Sequence, residues 1–77
     1  MTREEAELEM TEGYRDGFRP GTPEPSGNRS LSYIHGFRNG RADRSYADGN
    51  YQMRGYAHDL RQIAEECILA DVNAYSY

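Results

Sequence analysis

Cys67, His35 and His58 are the residues of this chain best suited to nucleophilic, acid–base or metal chemistry, and none sits in a pattern that uses it. A thiolate nucleophile needs a base beside it. Cys67 instead ends the apolar series Met53, Tyr56, Leu60, Ile63, Cys67, where a thiol acts as a small hydrophobe. His58 is followed by Asp59, and adjacent residues of a helix point in different directions, so the two make no dyad. His35 precedes Gly36 and reads as a partly exposed packing residue rather than a general base. One Cys and two His do not complete a structural zinc site. A single Cys forms no internal disulfide, which fits a reducing, cytoplasmic setting. The steps Gly13-x-x-x-Gly17 and Gly36-x-x-x-Gly40 lack the Lys and Ser/Thr of a phosphate loop, and no strand precedes them. The expectation is a protein without enzymatic activity, cofactor or metal.

Recognition chemistry is better represented. All nine basic residues are Arg, whose planar head pairs bidentately and stacks on rings. Two explanations stand side by side: the codon bias of a GC-rich genome, and an Arg/Tyr recognition face of the kind enriched at interfaces. The net charge of −4 is unevenly spread. Residues 1–12 carry one Arg against five Glu, residues 13–61 carry eight Arg against five acids, and residues 62–77 carry three acids and no base. Arg15, Arg19, Arg38, Arg41 and Arg44 are candidates for one basic patch. Glu4, Glu5, Glu7, Glu9 and Glu12 at one end, with Glu65, Glu66 and Asp71 at the other, are candidates for acidic docking faces. A solvated helix face is the plainer explanation of such runs. The overall sign disfavours non-specific grip on duplex DNA.

The elements that must carry these residues are helices in a single domain spanning 1–77. Eight Leu, Ile and Val leave seven Tyr and two Phe to supply most of the large apolar surface. A chain this short hides little surface on folding, so it has no room for a deep pocket of its own. No apolar stretch is long enough for a membrane span, and the Met1–Glu5 start lacks the apolar run of a signal peptide. Thr2 and Glu5 have the spacing of a capping box, and Met10, Tyr14 and Phe18 make one stripe, so a helix is expected over about 2–18. Residues 19–29 hold three Pro and two Gly and read as a linker. Ser30 offers the cap of a second helix over about 30–47. A third and longest helix is expected over about 51–74, its seam being Met53, Tyr56, Leu60, Ile63 and Cys67. That seam exceeds what two short helices can cover, which predicts a homodimer through helix three, with packing back on its own hairpin as the competitor. No strand pattern competes, so the fold class is all-α.

The pentapeptides Gly13-Tyr14-Arg15-Asp16-Gly17 and Gly36-Phe37-Arg38-Asn39-Gly40 form an internal repeat. A helical glycine costs about 1 kcal/mol relative to alanine, so four at matched positions need a reason. Glycines four apart share a face and leave a groove that another backbone can enter. The expected use is a helix crossing at Gly13, Gly17, Gly36 and Gly40, filled by Tyr14, Tyr33 and Phe37.

The run Ser32-Tyr33-Ile34-His35-Gly36-Phe37-Arg38-Asn39-Gly40-Arg41-Ala42-Asp43-Arg44 resembles the second half of bacterial ribosome modulation factor. Gly13-Tyr14-x-x-Gly17, followed by a proline-containing connector, is similar to that family's first half. The likeness covers about residues 10–46 and is shared by many small phage and plasmid proteins. It implies two helices joined by a linker, here a two-helix hairpin with a longer C-terminal amphipathic helix added. It also implies contact with ribosomal RNA. Tyr33 and Phe37 stand where the family has tryptophans, and this chain is acidic where the family is strongly basic. The function expected is therefore a small phage or mobile-element protein that docks on and inhibits a larger host nucleoprotein machine, such as a CRISPR effector. The alternative is a ribosome-associated modulator whose arginines meet RNA phosphates.

Overall fold

In the first helix, α1 (Arg3–Phe18), the capping box is complete: Glu5 N–H donates to Thr2 Oγ1 at 3.1 Å, and Thr2 N–H donates to Glu5 Oε1 at 3.0 Å. Glu4 and Glu5 lie in the first turn, where the helix dipole favours negative charge. The helix stops at Arg19, extended as the residue before Pro20 must be. α2 (Leu31–Ala47) begins at Ser30, whose Oγ accepts Tyr33 N–H at 3.1 Å, and stops at Asp48 and Gly49, the latter at φ 103°. The computed structural model describes residues 1–49 and 63–74. Within them the third helix is α3 (Ala64–Ala74). The expected start of that helix at about 51, and with it Met53, Tyr56 and Leu60, lies outside the described residues. The described residues are all-α, with no strand among them.

α1 and α2 meet through backbone. An added Cβ would stand 2.1 Å from the Tyr33 carbonyl oxygen at Gly13 and 2.0 Å from that of Phe37 at Gly17. The equivalent distances are 2.0 Å to Met10 at Gly36 and 2.1 Å to Tyr14 at Gly40. The glycine hydrogens pointing along those directions make the Cα–H···O contacts that recur at close helix crossings. Each contact on one helix has its counterpart 23 residues away, the interval of the internal repeat. Rising numbers on α1 meet rising numbers on α2, so the two helices run parallel and are related by an approximate twofold axis between them. Hairpin helices joined by a short turn run antiparallel; here the pair forms as expected, with the opposite direction. The physical reason is the linker. A parallel pair requires the chain to travel back roughly 14 Å along α1, and an extended, proline-rich segment reaches at least twice that.

The remaining cross-links follow the same pairing. Tyr33 O–H donates to Asp16, three residues beyond the glycine its carbonyl touches. Tyr14 O–H donates to Asp43 at 2.6 Å, three beyond Gly40. Tyr33, Phe37, Ala6, Ala42 and Ile68 form the buried apolar core. α3 lies against both helices through Ile68 and Asp71 on one side and an Arg3–Glu65 contact on the other.

Candidate functional site

The arginines expected to form one patch are divided by the pseudo-twofold. Arg15 and Arg38 each lie two residues past an interface glycine, about 200° round the helix, so they project from opposite sides of the pair. Both are exposed, as is Arg19. Arg41 is partly buried: its Nη2 donates to the Thr22 carbonyl at 2.6 Å, and its guanidinium lies 4.9 Å from the Phe37 ring centroid. It fastens the linker. Arg44 lies over the Phe18 ring at 5.6 Å and pairs with Asp48 at 3.1 Å. The single basic patch is thus corrected to two separate exposed sets, Arg15 with Arg19, and Arg38.

The acidic candidates are also partly committed. Asp71 is 3 % exposed, which overturns its place on a docking face. Its Oδ1 accepts Leu31 N–H at 3.1 Å and its Oδ2 accepts Ser32 N–H at 2.6 Å. Together with Ser30 it satisfies the first three amides of α2, and its charge faces the positive end of that helix dipole. Glu65 takes a bidentate contact from Arg3 at 2.6 and 2.7 Å, and Arg3 Nε also reaches Glu7 at 3.0 Å. The guanidinium holds the Glu65 carboxyl below the usual carboxylate range. The Thr2 backbone and hydroxyl do the same for Glu5. Glu9 accepts Ser30 O–H at 2.6 Å. Glu4, Glu12 and Glu66 remain exposed.

Of the groups with reactive potential, Cys67 and His35 lie among the described residues and His58 lies outside them. Burial pushes the Cys67 thiol up, helped by Asp71 and Glu66, the reverse of an activated thiolate. Burial, then Arg38, pushes the buried His35 down, which keeps its imidazole neutral. Among the described residues no three His, Cys, Asp or Glu side chains cluster as metal ligands. No helix among them is long and apolar enough to cross a membrane.

Among the described residues a groove of about 540 Å³ lies open along the outer face of α1. Glu5, Leu8, Glu9 and Glu12 form its helical wall, while Asn28, Arg29 and Ser30 at the end of the linker form the other, with Met1 at one end. Leu8 is 59 % exposed within it. The Arg29 guanidinium is stacked 3.6 Å above the Tyr33 ring, a cation–π position that fixes this wall. Reasoning from sequence missed Leu8 because it lies off the Met10–Tyr14–Phe18 stripe. Its place between Glu7 and Glu9 was the available signal. Comparison with protein-family models, curated proteins and solved structures finds no match to this chain.

Proposed function

We propose that this chain is a small, non-enzymatic binding protein that acts by occupancy, docking on a larger nucleoprotein machine of a host cell and inhibiting it, as a phage or mobile-element product does. The observation that carries this reading is the outer face of α1, where Leu8 and the glutamates line an open groove. An acidic surface with an apolar centre suits a basic protein channel that otherwise holds nucleic acid. The raised Cys67 thiol, the reverse of an activated thiolate, fits a protein that works without chemistry of its own. Exposed Ile63 and Leu69 on the α3 side offer the surface for the proposed pairing of two copies.

Affinity capture with the tagged chain from host cells tests it. The expected result is a complex, captured in stoichiometric amount, that has lost nucleic-acid binding. Capture of a complex with its nucleic-acid binding intact removes the reading.

A second reading, a ribosome-associated modulator, draws on the exposed Arg15, Arg19 and Arg38 and on the likeness of both half-motifs to ribosome modulation factor. It expects salt-dependent sedimentation with ribosomes that Arg15→Glu with Arg38→Glu abolishes.

A further inference from the structure

The two helices of the pair are equivalent in position but unequal in what covers them. Leu8 on α1 and Leu31 on α2 stand 23 residues apart, the repeat interval, and both are exposed, at 59 % and 52 %. α3 leaves Leu31 itself open and covers the residues next to it: Asp71 accepts the amides of Leu31 and Ser32, and Ser32 and His35 are buried. The same positions on α1 are Leu8, Glu9 and Glu12, and they face the open groove. This face of the repeat carries α3 on the α2 side, and on the α1 side no described helix covers it.

Charge selects the occupant. Glu5, Glu9 and Glu12 line the groove against Arg29, itself held over Tyr33, and the Met1 amino group, so three negative charges face two positive ones. A second copy of α3 would bring Glu65 and Glu66 against them, like charge against like. A nucleic acid is repelled for the same reason. A basic segment with one apolar anchor for Leu8 is attracted, and its flanking Lys or Arg side chains meet the glutamates. We infer that the Leu8 groove binds a basic, leucine-anchored amphipathic helix of the partner protein. The inference rests on the proposed binding function and names the chemistry of its partner.

Fluorescence anisotropy with labelled synthetic peptides tests it: a helix-forming Lys/Ala peptide bearing leucines at one-turn spacing, the same peptide with Ala for Leu, and one with Glu for Lys. The leucine-bearing basic peptide is expected to bind at least tenfold more tightly than either control. Leu8→Asp and Glu12→Lys, both exposed positions outside the helix crossing, are each expected to lose at least tenfold while melting like the parent. Amide shifts in nitrogen-15 spectra should centre on Leu8, Glu12 and Asn28. Equal binding of the alanine peptide, undiminished binding by Leu8→Asp, shifts centred elsewhere, or no binding at all overturns the groove. Leu8→Asp that still captures and strips a nucleoprotein complex keeps the function and moves its surface. Peptide binding by a wild-type chain that strips no complex keeps the groove and removes the function.

Discussion

Replacing Gly36 by alanine tests the backbone crossing directly. The new Cβ would sit 2.0 Å from the Met10 carbonyl oxygen and 3.0 Å from Tyr14 N, whereas ordinary contact begins at 3.4 Å. The neighbour is helix backbone, which has no rotamer to change, so α1 and α2 must separate by roughly 1.4 Å at that point. Alanine gains about 1 kcal/mol in helix propensity. Against that stand overpacking at about 1–3 kcal/mol and the weakening of Cα–H···O contacts worth about 0.5–1 kcal/mol each, several of which stretch together. The net is a loss of about 1–3 kcal/mol, or roughly 5–20 °C in Tm for a domain of this size. The pseudo-twofold adds a stricter demand: Gly13→Ala should cost the same as Gly36→Ala, and Gly17→Ala the same as Gly40→Ala. The double variant Gly13→Ala with Gly36→Ala should cost less than the sum, because one separation relieves both clashes. Gly27→Ala is the control, since nothing lies within 4 Å of its Cβ direction. Thermal unfolding followed by circular dichroism reads all of these. A Gly36→Ala variant melting at or above the parent refutes the crossing.

Asp71→Ala should strand the amides of Leu31 and Ser32, costing about 1–3 kcal/mol; hydrogen exchange at those two amides should rise before the rest of α2, and unchanged protection would show that α3 does not hold them. The lowered His35 pKa sets a pH dependence. The unfolded chain takes up this proton near pH 6.5 and the folded chain only at lower pH, so stability is fully present above 6.5 and declines as the pH falls through that window. His35→Gln should flatten the fall in Tm that sets in below about pH 6.5, ahead of the carboxylate losses from Glu5 and Glu65 below 4.5; an equal slope in the variant rejects His35 as its source. Cys67, with its raised pKa, should react with a disulfide reagent at pH 8 more slowly than an unstructured thiol peptide; a faster reaction would contradict its burial.

Local chemistry made the helices legible. Thr2 with Glu5, Ser30, Arg19-Pro20 and Asp48-Gly49 are caps and stops that act over three or four residues, and α1 and α2 begin and end within one residue of where those signals put them. The glycine repeat was legible for a related reason: four helix-weakening residues at one interval are explained by close approach, and that approach is what they make. The direction of the pair was not. Glycines four apart allow either direction, and only the registry of carbonyls against glycines separates parallel from antiparallel. Charges were the least legible class. An Asp on a helix reads the same whether it faces water or caps another helix 40 residues away, as Asp71 does. Arg41 reads as a phosphate ligand until its place under the linker at Thr22 is known. The sequence by itself determined the limits of α1 and α2, the crossing residues and the all-α class, because capping and periodicity are short-range. Only the tertiary structure decided which charges are left for a partner, because a side chain's solvation depends on what the rest of the chain brings beside it.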